Sequence, residues 1–398
     1  MNLPVYLDNN ATTPMDPEVL ETMLPYFMQK FGNAASKNHS FGWIAEEAVD
    51  HARKQIAALI NAQETELVFT SGATEAVNLA IKGVYETYRS KGNHIITCLT
   101  EHKAVLDTCK HIEQSGGNVT YLPVNKDGLI SLQELEKAIS PQTILIAIMY
   151  GNNETGVIQP IKEIAEIAQK HNLLFFCDAT QAVGKVPVDV LADGIHLLAC
   201  SAHKMYGPKG VGILYVRRKN PRVKITAQID GGGHERGMRS GTLNVPGIVG
   251  LGKASELCLQ KMNSDAMRIC FLRDKLEKAL LQIEASFVNG SINLRLPNVL
   301  NISFQHVNGQ ALMMALKSIA VSSGSACTSA SLEPSYVLKS LGLSDDLAHS
   351  AIRLGIGRFN TEEEIDYTIE QIINAVNHLR AISPIWQMYK DENELNKV

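Results

Sequence analysis

The sequence predicts an α/β protein built on a mainly parallel sheet of seven strands in a large domain, followed by a smaller α+β domain. Three observations predict this. From about residue 66, short β-rich runs alternate with amphipathic stretches of helical spacing, the pattern of strands joined by helical crossovers. Several β-rich runs are almost wholly apolar, among them Ile144-Leu145-Ile146-Ala147-Ile148 and Leu173-Leu174-Phe175-Phe176. Strands covered by helices on both faces read this way. Beyond about residue 250 the alternation stops, and a long helical stretch leads out of the sheet.

In chain order, strands are expected at 66–69, 94–97, 119–122, 144–150, 173–177, 195–200 and 212–216. Helices are expected at 73–89, 103–114, 132–139 and 161–170. The long helix spans about 250–281, strands follow near 299–304 and 319–322, and a helix occupies 361–379. The boundary falls on the long helix, giving a large domain over 16–261 and a small one from 1–15 with 262–398. The charged tail 390–398 is expected to fray.

A length of 398 residues exceeds one simple core and suits two domains. The net charge is −4, with both signs spread along the chain, which argues against nucleic-acid or anionic-membrane binding. No apolar run approaches the ~18 residues of a membrane span. The N-terminal residues lack the basic and apolar regions of a signal peptide, so a cytoplasmic protein is expected. None of the seven cysteines lies in a C-x-x-C pair, which argues against a disulfide framework or a structural zinc site. Cys98, Cys177 and Cys200 lie in apolar runs and read as buried, inert thiols; Cys258 and Cys270 fall on helices.

In open parallel sheets, ligands bind beyond the carboxyl ends of the strands. Five such ends carry polar, chemically capable residues: Thr70-Ser71-Gly72-Ala73-Thr74, Thr100-Glu101-His102, Gly151-Asn152-Asn153-Glu154, Asp178-Ala179-Thr180-Gln181 and Ser201-Ala202-His203-Lys204. In the first, a glycine turn opens a helix, which makes either a phosphate seat or a plain cap. An Asp178 directly after a buried strand needs a partner, either a protonated ring nitrogen or the start of the next helix. A lysine in the cleft can form a Schiff base, although most lysines are solvated surface.

The strings themselves are more specific. Ser201-Ala202-His203-Lys204-Met205-Tyr206-Gly207-Pro208-Lys209-Gly210 resembles the cofactor-lysine segment of fold-type I pyridoxal-phosphate enzymes of the class V aminotransferase group. With Gly231-Gly232-Gly233-His234-Glu235-Arg236-Gly237-Met238-Arg239-Ser240-Gly241-Thr242 and Ser323-Gly324-Ser325-Ala326-Cys327-Thr328-Ser329-Ala330, the chain resembles the cysteine desulfurases of the IscS/NifS family, IscS type, over nearly its whole length.

The resemblance implies pyridoxal 5'-phosphate as cofactor and assigns roles. Lys204 holds the cofactor, and Asp178 and Gln181 meet the ring nitrogen and ring hydroxyl. His102 stacks on the ring and shuttles protons. Ala73, Thr74, Ser201 and His203 hold the phosphate. Thr242 reaches the phosphate in the partner subunit, which implies a homodimer. Asn153 and Arg353 receive the substrate carboxylate, and Asn153 also adjoins the cofactor. Read without the resemblance, His102 could simply head a helix and Arg353 could form a surface ion pair. His234 and Glu235 hint at a metal site, but with three glycines before them and no further ligand they read as a structural turn.

Cys327 sits among Ser, Gly, Ala and Thr, a segment with little apolar side chain to bury, and is expected to be accessible to chemistry. The resemblance makes it the acceptor of the sulfur of L-cysteine as a persulfide, leaving L-alanine. It implies sulfur supply to iron–sulfur cluster assembly and tRNA thiolation. It also implies an iron–sulfur scaffold protein as partner, with Cys327 a transient metal ligand if a cluster is shared. The alternatives are a selenocysteine lyase or other-subgroup desulfurase, a class V aminotransferase, which needs no thiol, and a non-catalytic scaffold. One departure from the IscS type is the ending Glu394-Leu395-Asn396-Lys397-Val398, in place of a tail with Trp and His associated with scaffold docking.

Overall fold

The computed structural model describes residues 1–323 and 334–395. Its centre is a seven-stranded sheet in the order β2-β8-β7-β6-β5-β3-β4. The strands are β2 Leu67–Thr70, β3 His94–Cys98, β4 Asn118–Leu122, β5 Thr143–Ala147, β6 Leu174–Asp178, β7 Leu197–Ser201 and β8 Gly212–Val216. β4, β3, β5, β6 and β7 pair in parallel, whereas β8 is antiparallel to both β7 and β2. Six strands therefore run one way and β8 alone runs back. The expectation of a mainly parallel sheet holds. The reversed strand was not legible, because an apolar pentad reads the same in either direction.

The period-two alternation of strand side chains builds two cores. Leu67 and Phe69 face one layer and Val68 the other. Likewise, Leu198 and Cys200 face the first, and Leu197 and Ala199 the second. Helices Ala73–Tyr88 and Lys103–Gln114 cover the second layer, and Ser40–Ile60 and Ile161–Lys170 the first. The cysteines on the strands are fully buried, as their apolar surroundings suggested.

Helix Val245–Leu280 lies along Ser40–Ile60 so closely that a Cβ on Gly252 would stand 2.6 Å from the Cα of Ala52. Its residues up to Cys258 bury into the first core. From Ile269 they join a third cluster with β10 Val299–Phe304 and β12 Ala351–Gly355. There the antiparallel order is β12-β10-β9, with β9 at Ser286–Val288. A two-stranded parallel pair, β1 Val5–Tyr6 with β11 Ile319–Ala320, brings the N-terminus to this region. The strand expected at 319–322 is thus only two residues long, with Ser322 bridging Arg353.

The tail corrects one expectation. Instead of fraying from Lys390, the chain is helical over Pro384–Leu395. The Arg380 guanidinium lies 4.1 Å from the Trp386 ring centre, and Tyr389 packs 4.6 Å from His306. Residues 396–398 lie outside the described residues.

Candidate active site

The carboxyl ends of β2, β3, β5, β6 and β7 open onto one cavity of about 580 Å³. All five expected strand ends contribute to its wall, and the N-terminal Asn10, Ala11 and Thr12 close it. Of the residues singled out in the sequence, Ala73, Thr74, His102, Asn153, Asp178, Gln181, Ser201, His203, Lys204 and Arg353 line it together.

At one end, helix Ala73–Tyr88 begins with no side-chain cap. Its N-cap Gly72 has φ +153, a conformation that side chains disfavour, and a Cβ on Gly212 would reach Gly72 Cα at 2.8 Å. The open first turn of a sixteen-residue helix offers N–H groups and the positive dipole end to an anion. Ser71 N donates to the Glu75 carboxylate at 2.7 Å, and Arg239 holds that carboxylate in turn. Arg239 belongs to the glycine-rich segment. Nearby, burial and the charges of Lys204, Lys209 and Lys185 push His203 down to about 4. His203 is therefore a neutral ring whose Nδ1 lies 3.2 Å from Thr12 Oγ1.

Asp178 ends β6 and is 6% exposed. Its Oδ1 accepts from Thr180 N at 3.0 Å, so it caps the following turn. Lys204 follows β7 in a short 3-10 turn, Ala202–Lys204, and its Nζ donates to the carbonyls of Asn10 and Ala11, each at 2.6 Å. His102 caps helix Lys103–Gln114, its Nδ1 accepting from Ala104 N at 3.1 Å. A neutral ring therefore carries its proton on Nε2.

Arg353, on β12, is 3% exposed. Its Nη1 donates to Asn153 O at 3.1 Å and Nη2 to Asp8 Oδ1 at 2.7 Å, while Nε is buried without a partner. It is thus a buried, pre-oriented guanidinium, not a surface ion pair. Asn153 Oδ1 and Thr180 Oγ1 are likewise buried and unpartnered at the cavity. Three orphaned polar atoms around one cavity mark a place shaped for a polar guest. An anion seat at one end, a buried carboxylate, an amine and a guanidinium fit pyridoxal phosphate with an amino-acid substrate.

Two expected residues are not brought together with the rest. Thr242 is exposed in a loop and is not among the residues lining this chain's cavity. Cys327 lies outside the described residues. Glu235 is engaged structurally: its carboxylate pairs with buried Arg53 at 2.7 Å and accepts from Phe69 N at 2.8 Å, anchoring the glycine-rich segment to β2. Sequence reasoning missed Asn10, Asp8, Lys185 and Tyr336. Glu154 was quoted but given no role. It is buried, accepts from Ser335 Oγ at 2.5 Å, and burial pushes it up to about 7, with Ser335, Arg353 and His102 opposing.

Fold and site together define a class, a pyridoxal-phosphate-dependent enzyme of fold type I. Residues 5–368 match the Aminotransferase class-V family. The protein named cysteine desulfurase IscS of Actinobacillus succinogenes is 58% identical over 100% of this chain and 99% of its own. That of Anaeromyxobacter dehalogenans is 56% identical over 100% and 98%. A solved NifS-like protein superposes with a TM-score of 0.88 at 38% identity, covering 94% of this chain and 100% of its own. The chain belongs to the class-V aminotransferase family and, within it, to the cysteine desulfurases of the IscS type.

Proposed function

We propose that this protein converts L-cysteine to L-alanine and passes the sulfur on as a persulfide of Cys327. The observation that carries the reading is the convergence of Lys204, Asp178 and Arg353 on one cavity, in a chain matched along its length by proteins named cysteine desulfurase.

The chain's own groups divide the work. Arg353 and Asn153 hold the substrate carboxylate, the guanidinium and the Asn153 side-chain Nδ2 donating to it. Lys204 removes the Cα proton as general base. Asp178 would meet the ring nitrogen of pyridoxal phosphate, Gln181 its ring hydroxyl, His102 its ring, and Ala73, Thr74, Ser201 and His203 its phosphate; when bound, the cofactor would supply the electron sink for that step. The Cys327 thiolate attacks the substrate sulfur and the Cβ–S bond breaks. The electron pair of the broken bond stays with Cβ, which is thereby reduced as the two sulfurs rise to the persulfide level, and Cβ takes a proton to become the methyl group of alanine.

Thr242, exposed on its own subunit, is proposed to complete the phosphate seat of a second subunit in a homodimer. The acceptors proposed are iron–sulfur cluster assembly, through a scaffold protein with which Cys327 transiently shares metal, and tRNA thiolation, in the cytoplasm. The division into 16–261 and 1–15 with 262–398 is proposed to separate the cofactor-binding part from the thiol-bearing part. Among the described residues, no helix is long and apolar enough to cross a membrane.

Cys327→Ser tests the function. The variant should keep the cofactor's visible absorbance and yield no sulfide or alanine from cysteine; undiminished turnover would point to an activity that needs no thiol. Arg353→Lys tests the carboxylate site. Lysine keeps the charge but loses the fork, and hydrogen bonds to charged groups are worth about 1.5–3 kcal/mol. The KM for cysteine should therefore rise roughly 10- to 100-fold in steady-state assays.

A further inference from the structure

Behind the active cavity lies an amine that the mechanism above does not use. Lys185 is 8% exposed. Its Nζ donates to Gln181 Oε1 at 3.0 Å, a neutral partner, and no carboxylate among the described residues pairs with it. The charges of Lys204 and Arg353 act against its own and the Cys258 thiol favours it, while Tyr206 and Asp265 line the same narrow cleft. Burial, then the charge of Lys204, pushes Lys185 down from 10.5 to about 7. A buried ammonium among cations, held by an amide oxygen, destabilises the fold.

The hydrogen bonds connect it to the chemistry. Lys185 Nζ donates to Gln181 Oε1. Gln181 Nε2 then donates to Asn10 O at 3.0 Å, and the same carbonyl accepts from Lys204 Nζ. The Gln181 amide is thereby fixed in one orientation. Coulomb repulsion is reciprocal, so a charge on Lys185 opposes a proton on Lys204 as much as the reverse.

We propose that Lys185 is a positioning residue for the desulfurase reaction: its buried charge orients Gln181 and disfavours a proton on Lys204, keeping that amine available as a base. The inference rests on the role given to Lys204 above.

The test uses two holoenzyme variants, K185M and K185Q. The first removes charge and donor, and the second keeps an amide donor toward Gln181 while removing the charge. In both, the pH midpoint of the bound cofactor's visible absorbance should rise by about one unit, a tenfold change in proton affinity. The pH optimum for turnover should move up with it, with kcat falling at neutral pH and KM for cysteine little changed.

Stability gives a second readout. Keeping Lys185 protonated in the fold costs most below about pH 7 and nothing above its solution value of 10.5. K185M should therefore melt higher than the unaltered protein near neutral pH, and the gain should shrink as pH rises toward that value. An unmoved midpoint in either folded variant overturns the proposal, as does a K185M that melts lower at every pH. Failure of the underlying reading would show separately, as a Lys204→Ala variant that still holds its cofactor covalently.

Discussion

Lys204→Ala is expected to purify without the visible absorbance of a covalently held cofactor and to lose about 10⁴-fold or more in turnover of cysteine. Two losses combine. In the role proposed for it the amine attaches the cofactor, and a positioned general base contributes about 10²–10⁴-fold by itself. The structure makes the loss specific to this residue. Lys204 Nζ is held by the Asn10 and Ala11 carbonyls in the wall of the same cavity that Asp178 and Arg353 line. Lys209 also lines that cavity but does not sit at the end of β7, so it cannot substitute. Absorbance spectra and single-turnover alanine release check the expectation. A variant that keeps both the absorbance and the turnover would place the chemistry elsewhere.

Asp178→Ala should keep the cofactor attached through Lys204, yet lower kcat by about 10- to 10³-fold, because an opposite charge in contact shifts a partner's proton affinity by about one to three units. A second carboxyl nearby does not compensate. Glu101 is 0% exposed and pushed well above the usual carboxylate range by burial, with Asp178 adding to the rise. Its Oε1 accepts from Met149 N at 2.5 Å, and Glu101 is not among the residues lining the cavity. Asp178→Asn, which keeps shape without charge, should fall nearly as far. Rates and cofactor absorbance measured on the same samples separate loss of chemistry from loss of cofactor.

Much of the site was legible because chemistry-bearing residues sit directly after apolar strands, and the sheet rule places such ends together. Asp178, Lys204, His102 and the Gly72–Thr74 turn were found this way, and Arg353 through its resemblance. What was not legible arrives through tertiary contacts. Asn10 reaches the cavity because the two-residue strand β1 docks on β11, a pairing too short to leave a sequence signal. Lys185 is a lysine like any other until the fold buries it behind Gln181. Arg353 was assigned its role by resemblance, and only the structure shows that Asp8 and the Asn153 carbonyl hold its guanidinium in place. The helical tail escaped a reading based on charge, because Trp386 and Tyr389 pack on Arg380 and His306.

In the proposed reaction, sulfur leaves cysteine onto Cys327. The most direct measurement is mass spectrometry of the peptide containing Cys327, taken after brief exposure of the holoenzyme to one equivalent of L-cysteine and alkylation. One added sulfur atom is expected on Cys327, in step with alanine formed, and no added sulfur on any peptide of the Cys327→Ser variant. Alanine formed with no sulfur gained at Cys327, or sulfur carried on another cysteine, would contradict it.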